Sequence, residues 1–156
     1  MSNITERKKL LKAMRMLSTQ AIMMHQTVAD NLHLSLTDYK CLDILARFGS
    51  MTAGKLTEKC GLTTGAVTGV IDRLERAGYA KRTDNPVDRR SVIVELAWDR
   101  KSVESYEKIM SPLEQKMSRL TAGYTNEELA FFTGFMEKIV EVLHQETMEL
   151  SITDIS

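Results

Sequence analysis

The chain has 156 residues, of which 43% are hydrophobic, and its 21 basic and 21 acidic residues balance to a formal net charge of zero. This length and apolar content exclude a disordered chain and allow one domain with a sizeable core, or two small lobes that share helices. The charge is unevenly spread, with net values of +3 over residues 1–52, +2 over residues 53–96 and −5 over residues 97–156.

Two helices are predicted at the start of the chain. The first runs from about Thr5 to Asn31, and its apolar residues recur at alternating steps of four and three: Leu10, Met14, Leu17, Ala21, Met24 and Val28. Such a heptad-like stripe needs a partner helix. The second is predicted from Asp38 to Arg47, with Thr37 as its N-cap. Its expected packing residues are Tyr39, Leu42, Ile44, Leu45 and Phe48.

Two shorter helix patterns follow and indicate a helix-turn-helix. The first, Ala53 to Cys60, stops at Gly61, which can adopt the left-handed conformation of a sharp turn. The second starts near Thr63, and either Thr63 or Thr64 can cap its amides. Apolar residues of both helices have the spacing that locks two helices across a short turn: Leu56, Cys60, Leu62, Val67, Val70, Ile71 and Leu74.

The opposite face of the second short helix is small, hydroxylic and cationic. After Thr63 it carries Thr64, Gly65, Thr68, Gly69, Asp72, Arg73 and Arg76. Small residues let a helix N-terminus approach base edges in a major groove, and Arg side chains can reach flanking phosphates. The alternative is an ordinary solvated helix face.

A β-hairpin with a cationic tip is predicted next, and it favours the first interpretation. Residues 79–83 form one strand, and Val92, Val94 and Leu96 alternate along the other. The connecting loop, residues 84–91, holds turn-forming residues and cations: Asn85, Pro86, Asp88, Arg89 and Arg90. Extended cations on a ribbon suit the narrow, electronegative minor groove.

Two further helical regions complete the chain. One begins at Trp98 or the residue after it, and Pro112, within a capping-box pattern, predicts a kink or a restart. After a break at Gly123, Thr125 and Glu128 form another capping box. The last helix repeats the heptad-like stripe at Leu129, Phe132, Met136, Ile139 and Leu143. A homodimer would cover the apolar stripes at both chain ends. Alternatively, the outer helices cover one another's apolar stripes within a monomer.

The whole chain resembles the MarR-type transcriptional regulators. Asp88, Arg90, Val94 and Leu96 match the wing pattern D-x-R-x-x-x-V-x-L of that family, and residues 70–79 (VIDRLERAGY) are similar to its recognition-helix end. Ala97 departs from the Thr that often ends the pattern. The resemblance implies that Arg90 enters the minor groove and that Asp88 helps to hold the wing conformation. Asp88, two residues before Arg90, is also expected to hold the guanidinium of Arg90 in position.

The resemblance also implies dimerisation through the terminal helices and an effector, often a small aromatic acid or phenol, where those helices meet the winged lobe. Candidates for that pocket are Met23, Tyr39, Leu42 and Trp98. The expected fold is therefore mainly α with a small β-hairpin wing. We predict an N-terminal dimerisation helix over residues 1–34, a winged helix-turn-helix domain over residues 35–97, and C-terminal helices over residues 98–156 that complete the dimerisation region.

Other classes of function find little support in the sequence. The sequence shows neither a nucleophile with a plausible base nor a phosphate-binding Gly-rich loop, so an enzyme is not predicted. The three His residues lack the spacing of metal ligands, so neither a metal nor a cofactor is expected. Cys41 and Cys60 lie in apolar helical patterns and are expected to be buried, inert thiols; redox sensing is the alternative. The ten Met residues could line a ligand cavity or fill the core.

The sequence thus predicts a sequence-specific DNA-binding regulator, a repressor released by a small effector, that binds a pseudo-palindromic operator on double-stranded DNA as a homodimer. The alternative is a winged-helix module that binds a protein partner, but charged residues are depleted from the core of protein interfaces. No apolar run approaches the roughly 20 residues that span a bilayer, and no signal peptide is evident. We therefore expect a cytoplasmic protein without a membrane partner.

Overall fold

The structure is a computed structural model that describes residues 2–97 and 100–152. The helices are α1 (Ser2–Asn31), α2 (Leu36–Phe48), α3 (Ala53–Cys60), α4 (Thr64–Arg76), α5 (Arg100–Thr121) and α6 (Asn126–Ile152). The strands are β1 (Met51–Thr52), β2 (Ala80–Asp84) and β3 (Val92–Leu96). The chain divides into two compact units, Met1–Ile109 and Met110–Ser156. The predicted class, mainly α with a small β wing, is confirmed.

The core of the first unit lies where α2, α3 and α4 pack together. The apolar residues predicted to lock the helix-turn-helix are buried, except Leu62, which is half-buried: Leu56, Cys60, Val67, Val70, Ile71 and Leu74. Gly61 adopts the left-handed conformation at φ 63° and ends α3 as predicted. Burial of one face of each short helix holds helices that would be marginal alone.

Two predictions for α2 were wrong. Its N-cap is Ser35 and not Thr37, because the extended backbone of Ser35 lets its hydroxyl accept a hydrogen bond from the Asp38 amide at 3.1 Å. Phe48 does not pack in the core but is exposed. Its ring lies against two cations instead, with Lys59 Nζ 4.1 Å from the ring centroid and the Arg47 guanidinium carbon 5.6 Å away.

The wing is part of a three-stranded antiparallel sheet with the order β1-β3-β2. The predicted hairpin is confirmed, and its register pairs Ala80 with Leu96 and Asp84 with Val92. Strand β1, which joins the sheet by pairing Met51 with Val94, was not predicted. The side chains of Met51, Ala80 and Val94 are buried, so the base of the wing is anchored in the core.

In the second unit, the capping box predicted before α6 is confirmed. The Thr125 amide donates to Glu128 Oε2 at 2.8 Å, and the Glu128 amide donates to Thr125 Oγ1 at 3.3 Å. These hydrogen bonds from the Thr125 backbone and side chain lower the pKa of Glu128. The restart predicted at Pro112 is wrong, because α5 continues through it; one lost amide donor does not end a helix of 22 residues.

Both terminal helices keep apolar side chains exposed within their own units. On α1 they include Leu10, Leu11, Leu17, Ile22 and Met23, and on α6 they include Phe131, Phe132, Val140, Val142 and Leu143. The start of α5 predicted at residue 98 or 99 lies outside the described residues. Among the described residues, no helix has the length and apolar character to cross a membrane.

Candidate nucleic-acid interface

The exposed face of α4 presents the small and hydroxylic residues that the sequence singled out. Thr63 is the N-cap, and its hydroxyl accepts a hydrogen bond from the Ala66 amide at 3.3 Å, which decides between the two predicted caps. The predicted groove-facing residues of this segment are Thr63, Thr64, Gly65, Thr68, Gly69, Arg73 and Arg76; all are exposed except Gly69, which is half-buried. The first turns of α4 therefore offer a surface with little side-chain bulk.

Arg73 is engaged in an internal ion pair with Asp38 of α2. Its Nε donates to the two carboxylate oxygens at 3.1 and 3.0 Å, and its Nη2 donates to Oδ1 at 2.7 Å. A β-carbon at Gly69 would lie 3.3 Å from Arg73 Nη1, so the glycine gives the guanidinium room to cross the helix. Arg73 thus fastens α4 to α2, and its predicted contact with phosphate stays a prediction.

The carboxylate of Asp38 is buried, and its electrostatics are set by this pair. Burial raises the pKa of Asp38, but hydrogen bonds from Arg73 and Ser35 and the charge of Arg73 lower the pKa more, to a net position below the ordinary 3.8. The same hydrogen bond raises the pKa of Arg73. Both groups are therefore charged at neutral pH, as an intact pair requires.

Arg82 of β2 connects the wing to α4. Its Nη2 donates to Asp72 Oδ1 at 2.7 Å, its Nη1 donates to Glu75 Oε2, and its backbone amide donates to Glu75 Oε1 at 2.7 Å. Nη2 also approaches the Thr68 carbonyl oxygen at 3.4 Å. A single guanidinium thereby ties the exposed face of α4 to the first strand of the wing.

The wing tip is ordered by short polar side chains. The Arg90 amide donates to Asp88 Oδ1 at 3.0 Å, and the Val87 amide donates to Asn85 Oδ1 at 3.0 Å. The Asn85 side-chain amide donates to Ser91 Oγ at 2.8 Å, which in turn donates to the Asp88 carbonyl at 3.1 Å. These bonds fix the loop as Asx-type turns.

Asp88 thus holds the backbone of Arg90 and not its guanidinium. Our expectation that Asp88 positions the guanidinium through a charge-assisted bond was wrong, because the carboxylate is turned inward to the loop amide. Arg89 and Arg90 are exposed, and neither forms an ion pair with any of the described residues. The other cations of the region are engaged: Lys81 pairs with Glu95 at 3.0 Å, and Arg76 Nε donates to the Asp72 carbonyl at 3.1 Å.

Comparison with known proteins identifies the family. A profile described as the MarR family matches residues 34–92, the segment that contains the helix-turn-helix and most of the wing. The chain is also 40% identical, over 144 residues, to the uncharacterised HTH-type transcriptional regulator YcgE of Bacillus subtilis, and the match covers 92% of each protein. The chain belongs to the MarR family.

Solved structures of MarR-family proteins share the fold. A mutant of E. coli MarR complexed with operator DNA aligns with a TM-score of 0.56 and 23% identity, over 86% of this chain and 95% of that one. NadR in complex with 4-hydroxyphenylacetate aligns with a TM-score of 0.60 and 19% identity, over 84% and 89% of the two chains. The protein is thus a MarR-family transcriptional regulator, and the family is one of regulators and not of enzymes.

Of the effector-pocket residues that the MarR resemblance suggested, the structure describes Met23, Tyr39 and Leu42. Tyr39 and Leu42 are buried in the core, and burial raises the pKa of Tyr39 to about 12. Met23 is exposed on α1, and Trp98 lies outside the described residues. A cavity of about 620 Å³ lies elsewhere, in the second unit, lined by residues that include Leu120, Tyr124, Phe132, Met136 and Val140. The effector site stays a prediction.

Sequence reasoning missed two residues that shape the interface, Asp38 and Arg82. Arg82 lies within the predicted strand of residues 79–83, and the strand pattern gives it no role of its own. The signal that could have found it is the pair of acidic residues on α4, Asp72 and Glu75, which lie three residues apart and face one strand. Among the described residues, no group of three or more His, Cys, Asp or Glu side chains could hold a metal ion.

Proposed function

We propose that this protein is a sequence-specific DNA-binding repressor that acts as a homodimer on a pseudo-palindromic operator. The observation that carries the proposal is the pairing pattern of the cations. Among the described residues, Arg73, Lys81 and Arg82 are paired with carboxylates, whereas Arg89 and Arg90, on the ordered tip, have no such partner. Positive charge without a carboxylate partner is therefore present at the wing tip, where a minor groove would receive it.

In this proposal, α4 enters a major groove with Thr63, Thr64, Gly65, Thr68 and Gly69 towards the base edges. Arg76 would lie beside the flanking phosphates. Arg73 would reach them with the part of its guanidinium that Asp38 leaves exposed. Asp88 would keep the wing in shape while Arg89 and Arg90 reach an adjacent minor groove. Support comes from the MarR-family structure with operator DNA and from the small exposed surface of α4.

The homodimer is proposed from the apolar surface of the terminal helices. Residues 1–34 and 98–156 would form the dimerisation region around a winged helix-turn-helix domain of residues 35–97. The exposed apolar side chains on each of α1 and α6 support this division, since large exposed apolar surface marks an interaction site. A two-fold dimer reads two half-sites about one helical turn apart, roughly 34 Å.

The experiment that tests DNA binding is a selection on genomic fragments. The purified protein is mixed with sheared genomic DNA, the bound fragments are sequenced, and the recovered motif is titrated in a gel shift against a scrambled duplex of equal length. We expect an inverted repeat that is bound at least about 10³-fold more tightly than the scrambled duplex. Equal binding of both duplexes would favour the alternative of a winged-helix protein-interaction module.

Repression and release are tested with the recovered operator. In a reporter strain, expression from a promoter that overlaps the operator should fall when the protein is produced. NadR binds 4-hydroxyphenylacetate, which supports a small aromatic acid as the class of effector for this chain. Addition of 4-hydroxyphenylacetate should change the fluorescence of Trp98, the single tryptophan, and weaken operator binding together. If neither signal changes with this or other small aromatic acids, the effector proposal fails while DNA binding stands.

A further inference from the structure

The two cysteines of the chain, 19 positions apart in sequence, meet where α2 packs against α3. Cys41 lies on α2 and Cys60 is the last residue of α3, and their sulfur atoms are 2.8 Å apart. Both thiols are reduced and buried, with exposed fractions of 0% and 1%. The DNA-binding role proposed above uses neither of them. They form the only possible thiol pair within a protomer, because the sequence contains two cysteines.

The surroundings make the two sulfur atoms unequal. The hydrogen bond from Cys41 lowers the pKa of Cys60, burial opposes this, and the charge of Lys40 lowers the pKa further, to a net position below its ordinary value. The same hydrogen bond, together with burial, raises the pKa of Cys41. Lys40 is held at this place because its Nζ donates to the Cys60 carbonyl at 2.7 Å. Cys60 is therefore the better nucleophile, and Cys41 is the thiol beside it.

We propose that Cys41 and Cys60 are an oxidation site that closes an intramolecular disulfide with hydroperoxides and staples α2 to α3. The Cys60 thiolate attacks the outer oxygen of the hydroperoxide, the O–O bond breaks, and the alcohol or water leaves. The resulting sulfenic acid is attacked by the Cys41 sulfur, whose proton joins the departing hydroxyl group, and one water leaves as the S–S bond forms. Two thiols lose two electrons, and the hydroperoxide gains them.

The geometry requires little movement for this reaction. A disulfide has a sulfur separation of about 2.0 Å, so the two atoms must approach by less than about 1 Å. Access for a small oxidant is provided at the end of α3, where Cys60 is followed by the exposed, left-handed Gly61 and where helix ends open at low free energy. The product is a cross-link between two helices that already pack, and not a rearranged fold.

The test uses the full-length protein in its native state. It is treated with a tenfold excess of tert-butyl hydroperoxide, quenched, unfolded in the presence of N-ethylmaleimide and weighed by intact mass spectrometry. We expect a protomer about 2 Da lighter that takes up no maleimide, where untreated protein takes up two. Peptide mapping should find the Cys41–Cys60 link. The melting temperature should rise by about 5–10 °C, because the cross-link restricts the unfolded chain.

Two single variants separate the roles of the sulfur atoms, and a melt monitored by circular dichroism confirms that each is folded. Cys41→Ser should leave Cys60 trapped as a sulfenic acid that dimedone labels, whereas Cys60→Ser should react at least about tenfold more slowly. If the treated wild-type protein still takes up two maleimides, or if its disulfide joins two protomers on a non-reducing gel, the proposal is overturned. A disulfide that lowers the melting temperature would also overturn it, because a fitting staple cannot strain the fold.

Discussion

Arg90 is the residue whose side chain is best placed to contact DNA. Its backbone amide is held by Asp88, and its guanidinium forms no ion pair with the described residues. We predict that Arg90→Ala weakens operator binding by on the order of 1–3 kcal/mol and lowers the slope of log affinity against log salt by about one unit. The melting temperature should be unchanged, because the tip buries little surface. Gel-shift titrations at several salt concentrations measure both quantities.

The matched control for Arg90 is Lys8→Ala, which removes an exposed cation from α1. It tests whether any lost positive charge weakens binding to a polyanion. Operator affinity that is equal in the Arg90 variant and the wild type, with both proteins folded and in the same oligomeric state, would show that the wing does not enter the groove.

Asp88 holds the same loop through a hydrogen bond to the backbone, and this predicts the direction in which its removal changes operator affinity. Asp88→Ala removes a negative charge near DNA, yet it should weaken operator binding by about 0.5–1.5 kcal/mol, because the Arg90 amide loses its acceptor and the tip loosens. Asp88→Asn keeps an acceptor oxygen and should bind as well as the wild type or better. If the alanine variant binds the operator more tightly than the wild type, charge repulsion between Asp88 and DNA outweighs the positioning of the loop, and the prediction is wrong.

Between elements, the pair of Asp38 and Arg73 determines how firmly α4 sits on α2. Arg73→Met should lower the free energy of unfolding by about 1–3 kcal/mol at pH 7, because the buried carboxylate loses its counter-charge; the half-exposed position of Arg73 keeps the loss below that of a fully buried pair. Arg76→Met is the control, since Arg76 pairs with no carboxylate among the described residues. Urea unfolding at pH 7 compares the three proteins.

The pH dependence of that loss follows from the lowered pKa of Asp38. In the wild type the pair stabilises the fold above the unfolded pKa, near the ordinary 3.8, and this contribution is lost as the pH falls through the lower folded pKa. In the variant, burial without Arg73 raises the pKa of Asp38, so protonation relieves the unpaired charge as the pH falls. The difference between the two proteins should therefore shrink from pH 7 towards pH 4; a difference that grows would contradict the assignment.

The elements that the sequence predicted correctly are those with local signals. The buried face of α4, with Val67, Val70 and Leu74, follows from a helical period, and the turn at Gly61 follows from one residue's conformational preference. Strand β1 could not be predicted, because two residues show no alternation and Met51 pairs with Val94, which is 43 positions away. The pair of Asp38 with Arg73 also joins distant positions, 35 residues apart. The distribution of charge along the sequence indicates the DNA-facing region, but only the structure shows which of its cations are already paired with carboxylates.

For the whole molecule, the terminal helices predict the state of assembly. The protein should sediment at twice the protomer mass of 17.7 kDa at micromolar concentration, because apolar side chains on α1 and α6 are exposed within their units. Leu143→Glu places a charge on the apolar surface of α6 and should shift the mass towards one protomer. Val87→Glu, the same kind of change at a wing residue with an exposed fraction of 93%, should not. A wild-type protein that sediments as one protomer would favour the monomer alternative.

The guanidinium of Arg82 also limits how the binding specificity of this protein can be altered, in the laboratory or in evolution. Because Arg82 on β2 pairs with Asp72 and Glu75 on α4, helix α4 and the wing cannot be exchanged independently of each other. A chimera that receives only α4 from a relative without acidic residues at those two positions would leave the Arg82 charge with no carboxylate to face. Grafts of new specificity should therefore exchange residues 64–96 as a block, and operator changes in this lineage are expected to proceed through coordinated substitutions in both segments.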